Sequence, residues 1–140
     1  MTKVQGGGES RPADAPLFPV APPPFTIAQA RDMVAETLRK SGLVLRDDVV
    51  ADALMVTSEL VTNAMRHGGG LAGFHAEVRD GDFRVLVADR KPDPPLARPH
   101  PASGPRIGGY GWLLVRSLAH HVTVTPHRSG KHITATLRLA

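Results

Sequence analysis

A two-layer α+β sandwich, with helices on one face of a mixed β-sheet, is the fold class that this sequence predicts. Three observations carry that expectation. The chain runs through two stretches of helical periodicity, two adjacent alternating stretches, a third helical stretch and two more alternating ones, an order that lays a helical layer on one sheet. Asp80-Gly81 and Ser129-Gly130 fall between the paired alternating stretches, where hairpin turns are needed. Hydrophobic residues make up 41% of the 140 while aromatics make up 4%, so one core built mainly from Val, Leu, Ala and Met is expected.

Residues 1–24 hold Gly6, Gly7, Gly8 and a proline series ending in Pro22, Pro23 and Pro24, a composition that predicts a flexible leader. Leu17, Phe18 and Val20 within it equally suit ordering, as an edge strand or by packing onto the domain. The folded domain is expected over residues 25–140. Thr26 is a good N-cap, and Ile27, Ala30, Met33, Val34, Thr37 and Leu38 follow at helical spacing until Ser41-Gly42. Asp47 or Asp48 then caps a second helix through Val49, Val50, Ala53, Leu54 and Val61, which stops at Gly68, Gly69 and Gly70.

Leu71 to Arg79 alternates through Phe74, Ala76 and Val78, and Phe83 to Ala88 follows as a strand ending at Asp89. Residues 90–107 carry Pro92, Pro94, Pro95, Pro99, Pro101 and Pro105, a density that excludes helix and central strand and predicts a functional lid. Gly108 to Ala119 reads as a glycine-rich turn entering an apolar helix. His121 to His127 and His132 to Leu139 complete the strands.

Composition narrows the function. Net charge is +4 and the isoelectric point is near 10.1, which raises nucleic acid as a partner. No Lys/Arg run exceeds two residues, however, and the aromatics do not interleave with the basic residues as a stacking surface requires. Both facts argue against direct nucleic-acid binding. The absence of cysteine removes disulfides and thiolate metal sites. No apolar run reaches the roughly 20 residues that span a bilayer, and the first residues lack the apolar stretch of a signal peptide. A cytoplasmic protein without a membrane span is expected.

The chemistry-bearing features are three. In T-S-E-L-V-T-N-A-M-R-H-G-G-G, from Thr57 to Gly70, Glu59, Asn63 and His67 recur every four residues and share one stripe of a helix. Alone, that pattern is more often a solvated polar face. Asp89 ends an apolar strand, where a carboxylate either accepts a hydrogen bond from an exocyclic amine or merely caps a turn. Gly108-Gly109-Tyr110-Gly111 opens a helix, which suits either an anion cradle or a tight turn.

Together these features resemble the GHKL ATPases, which share the Bergerat nucleotide-binding fold. S-E-L-V-T-N-A-M-R-H resembles the N box, A-D-R-K-P-D-P-P stands at the G1 position, and G-G-Y-G-W-L-L-V resembles the G2 box. The resemblance spans about residues 25–140 and is closest to RsbW-type anti-sigma-factor serine/threonine kinases. It implies ATP and Mg²⁺, with Asn63 as the magnesium ligand, Glu59 as the general base, and Asp89 on the adenine amino group. It also implies Gly108, Gly109 and Gly111 around the phosphates and Arg106 meeting phosphate charge. The implied partners are a sigma factor and an anti-sigma-factor antagonist protein, with the kinase a homodimer. The sequence departs from the usual D-x-G-x-G of the G1 segment, because Arg90, Lys91 and prolines follow Asp89. A non-catalytic nucleotide-binding or partner-binding module of the same fold is the alternative. His67 is expected to be a helix-end histidine favoured by the helix dipole.

Overall fold

The computed structural model describes residues 26–94 and 107–139, and of 107–110 the backbone alone. The expected leader, Arg106 and most of the expected lid lie outside the described residues. The elements are α1 (Ile27–Lys40), α2 (Asp47–Arg66), β1 (Leu71–Arg79), β2 (Asp82–Asp89), α3 (Ile107–Leu118), β3 (His121–His127) and β4 (Gly130–Arg138).

Local chemistry accounts for most boundaries. Thr26 caps α1 in a reciprocal box: its Oγ1 accepts from Gln29 N at 3.0 Å, and Gln29 Oε1 accepts from Thr26 N at 3.1 Å. The expected aspartate cap of α2 does not form. Arg46 occupies the N-cap without a side-chain cap bond, and Asp47 and Asp48 fall in the first turn, where they complement the positive end of the helix dipole. The turn between β1 and β2 is Asp80-Gly81, with φ of 54° and 81°, the left-handed pair that a two-residue hairpin requires. Between β3 and β4 the turn is Arg128-Ser129, one residue earlier than expected, and Gly130 is already the first residue of β4.

The sheet order is β1-β2-β4-β3. Every neighbouring pair among the described strands is antiparallel, so the expected mixed sheet is corrected to an antiparallel one. The crossover through α3 does bring β3 back parallel to β2. β4 then inserts between them, and no parallel neighbours remain. The α+β two-layer expectation stands.

The core lies between the helices and one face of this sheet. Ala30, Val34 and Leu38 from α1, and Ala53, Val56, Leu60, Val61 and Ala64 from α2, are buried. They meet Phe74, Phe83, Val85, Val87, Ile133, Ala135 and Leu137. Strand alternation places the last seven on a common face, since Phe74 pairs with Val87, Val85 with Ala135 and Val87 with Ile133. Trp112 and Val115 bring α3 into the same core. Two further residues continue that face beyond Val87 and Ile133: Asp89 and its register partner Lys131. Among the described residues no helix is long and apolar enough to cross a membrane.

Candidate functional site

The C-terminal half of α2 is the floor of the site. Glu59 and Asn63 are one turn apart, about 6 Å along the axis. Asn63 is only 8% exposed. Its Oδ1 and Nδ2, and Oε1 of Glu59, are buried without a hydrogen-bond partner among the described residues. An unpartnered buried polar atom costs about 1–3 kcal/mol, and native interiors hold few of them. Three such atoms on one helical turn are therefore best understood as a surface shaped for a polar ligand.

α3 closes over this floor at Gly111. A Cβ built on Gly111 would lie 1.9 Å from Glu59 Oε1 and 2.9 Å from its Cδ, so α3 reaches this approach only because the residue has no side chain. Gly108 and Gly109 belong to the first turn of α3, where backbone N–H groups lack helical acceptors and favour an anion.

Asp89 ends β2 beside the exit of α2. Arg90 N donates to Gly68 O at 2.8 Å, and Gly68 N donates to Asn63 O at 3.0 Å, so the strand end is tied to the turn that follows Asn63. A Cβ on Gly68 would fall 2.5 Å from Asp89 Oδ2, and one on Gly130 would fall 1.9 Å from the Asp89 carbonyl oxygen. Both glycines make room for this aspartate. Its carboxylate is already engaged: Oδ2 lies 2.7 Å from Lys131 Nζ, and Oδ1 accepts from Lys91 N at 3.1 Å. Lys131 Nζ also donates to Lys91 O at 3.1 Å. The side chains of Lys131 and Asp89 are 5% and 4% exposed, so this ion pair is shielded from water.

The structure thus brings Glu59, Asn63 and Gly111 together, and holds Asp89 at the end of the same helix. Arg106 lies outside the described residues. His67 is the exposed C-cap residue of α2, as expected for a helix-end histidine. No group of three or more His, Cys, Asp or Glu is placed to hold a metal among the described residues. The residues do suit an ion that brings most of its ligands with it. Asn63 Oδ1 is a free oxygen donor, and magnesium on a phosphate chain needs few protein ligands.

Sequence reasoning missed Lys131, although its signal was present. Lys131, Ile133, Ala135 and Leu137 alternate along β4, so the lysine falls on the buried face by period two alone. A lysine there demands a buried anion opposite, and Asp89 ends the only neighbouring strand whose pattern supplies one. In the sequence, Gly68 and Gly130 read only as turn residues.

Comparisons with known proteins bear on this arrangement. A family model described as a histidine kinase-like ATPase domain matches residues 20–137. No curated protein matches the sequence. Among solved structures, the chain is similar to the histidine kinase domain of a blue-light-activated histidine kinase from Erythrobacter litoralis, at 19% identity and a TM-score of 0.51. That match covers 81% of this chain and 60% of the other. A second structure of the blue-light-activated kinase gives 20% identity and a TM-score of 0.50, covering 80% of this chain and 41% of that one. The chain therefore spans less than two thirds of the length of either structure, 60% and 41%, and the likeness is one of fold.

Proposed function

This chain belongs to the histidine kinase-like ATPase domain family, and from that premise we propose that it is an ATP-binding regulatory protein acting as an RsbW-type anti-sigma-factor serine/threonine kinase. The observation that carries the proposal is the set of unpartnered buried atoms on Glu59 and Asn63 beneath Gly111. A pure scaffold has no use for a stranded carboxylate beside a stranded carboxamide. A phosphoryl-transfer site needs both.

In this reading Asn63 Oδ1 would hold Mg²⁺, which supplies neutralisation of phosphate charge when bound. The first turn of α3, with Gly108 and Gly109, offers amides to the phosphates, and Arg106 adds a cation to them. Glu59 orients the attacking serine hydroxyl of an antagonist protein and accepts its proton. A bond forms between the serine oxygen and the terminal phosphorus, the bond to the bridging oxygen breaks, and ADP leaves. Asp89 receives the adenine amino group. A sigma factor and the antagonist compete for the same homodimer, and nucleotide state biases the choice.

The test is incubation with γ-labelled ATP, Mg²⁺ and candidate antagonist proteins, comparing the native chain with Glu59→Ala and Asn63→Ala. Glu59→Ala should abolish phosphotransfer while ATP still binds; label transfer that survives this change removes Glu59 as the base. The pairing of Asp89 with Lys131 favours a second reading, a partner-binding module of the same fold without catalysis. Absence of ATP binding at millimolar nucleotide with Mg²⁺ selects that module.

A further inference from the structure

The two halves of the site differ in one respect: the α2 side presents polar atoms with nothing to bind, while the Asp89 side is already filled. Among the described residues, Asp89 and Lys131 are the buried carboxylate and the buried ammonium, and they face each other across β2 and β4. We infer that Lys131 sets the nucleotide affinity and base specificity of this site, by holding Asp89 in a pair that an incoming base amine must displace. The inference rests on the nucleotide-binding reading above.

Three features make the pair a competitor and not a joint reader of the base. Both carboxylate oxygens are engaged, Oδ2 by Lys131 Nζ and Oδ1 by Lys91 N. Lys131 Nζ spends a second N–H on Lys91 O, which ties it to the backbone just beyond Asp89 and away from a free pose. Gly68 packs close on Oδ2, since a Cβ there would fall 2.5 Å from it. With the Asp89 side chain only 4% exposed and Nζ 2.7 Å from Oδ2, a base amine gains a strong bond to Oδ2 by taking the place of Nζ.

Giving up one charge-assisted hydrogen bond on binding lowers affinity by roughly ten- to a hundredfold. The same contact blunts specificity. If Asp89 answers first to Lys131, a 6-amino purine has little advantage over a 6-oxo purine.

Calorimetric titration of the full chain with ATP and with ITP, each with Mg²⁺, tests this. The native protein should bind both weakly and within a few-fold of each other. Lys131→Met keeps the aliphatic stem and removes the charge; it should bind ATP about tenfold tighter or more, with ITP lagging. Lys131→Arg should stay close to native. ATP binding by Lys131→Met that equals or falls below native overturns the inference while leaving the nucleotide reading intact. Loss of all nucleotide binding in every variant and in the native chain overturns both. Should Lys131→Met not fold, the native chain decides alone, since a strong native preference for ATP over ITP requires a free Asp89 and refutes the competitor.

Discussion

Gly111 offers a quantitative check on the site, because the same substitution should change sign with its surroundings. In the native chain, alanine at 111 drives a methyl group to 1.9 Å from Glu59 Oε1, 2.9 Å from Cδ and 3.5 Å from Cγ. Forcing extra volume into a packed contact costs about 1–3 kcal/mol. Replacing glycine by alanine inside a helix recovers about 1 kcal/mol, so Gly111→Ala alone should destabilise by roughly 0–2 kcal/mol. In a Glu59→Ala background all three colliding atoms are gone. The helix-forming gain then stands alone, and Gly111→Ala should stabilise by about 0.5–1 kcal/mol. Urea unfolding of the four proteins, fitted with a common slope, gives the coupling energy. A positive coupling of about 1 kcal/mol or more is expected. Equal effects of Gly111→Ala in the two backgrounds would mean that α3 does not close on Glu59, and the site as described would fail.

Three other predictions follow from single contacts. Asn63→Leu fills the same space without stranded polar atoms, so it should raise stability by about 1 kcal/mol while abolishing binding of Mg²⁺ and ATP; a drop in unfolding midpoint would show that Asn63 has partners in the free chain. Gly130→Ala puts a methyl group 1.9 Å from the Asp89 carbonyl oxygen and 3.1 Å from Arg90 Cα. Backbone cannot swing aside, so a loss of more than about 3 kcal/mol is expected, read as unfolding midpoint, and a near-neutral result refutes the β2–β4 register at this end. His132 is buried and its ring centroid lies 4.6 Å from that of His127; desolvation, and then the neighbouring His127, lower its pKa, with Asp89 opposing. The unfolded chain therefore binds the proton more readily than the native one, and this histidine's contribution is intact above its ordinary range and lost as pH falls through and below it. His132→Gln should flatten the decline in melting temperature between pH 7.5 and pH 5.5, and an unchanged slope would remove His132 as its source.

Much of this structure was legible in the sequence, for physical reasons that differ by element. Thr26 as an N-cap, and Asp80 with Gly81, act within four residues, so the start of α1 and the hairpin turn follow from local chemistry. Ala30, Val34 and Leu38 mark the buried stripe of α1 because 3.6-residue spacing is a property of the chain itself. The antiparallel order is different. Nothing local to β4 says that it enters between β2 and β3, since that placement is decided by the packing of the whole sheet.

The site divides along the same line. Glu59 and Asn63 stand out because one helix holds them at fixed spacing, and Gly111 because a glycine at a helix start is locally costly. Their meeting is tertiary, as is the approach of Gly68 and Gly130 to Asp89. Lys131 is the instructive case. Its alternation with Ile133 and Ala135 was visible, yet a charged residue tends to be taken as the exposed member of a strand. Period two overrides that habit when three apolar neighbours follow on the same face.

The two ends of the site also constrain each other energetically. Three stranded polar atoms around Glu59 and Asn63 weaken the free protein, and a ligand that satisfies them gains what the fold has forgone. The Asp89–Lys131 pair works in the opposite sense, since both charges already have partners in the free protein and a base amine competes with one of them. Removing one member of such a pair strands the other charge and costs about 3–5 kcal/mol, a cost that a base amine on Asp89 relieves in Lys131→Met. Affinity for a nucleotide should then come mainly from the phosphate end, and truncating the base should cost this chain less than truncating the phosphates. ADP and ATP should differ more in affinity than ATP and ITP. The reverse ranking would place the recognition energy at Asp89 and leave the ion pair without a role in binding.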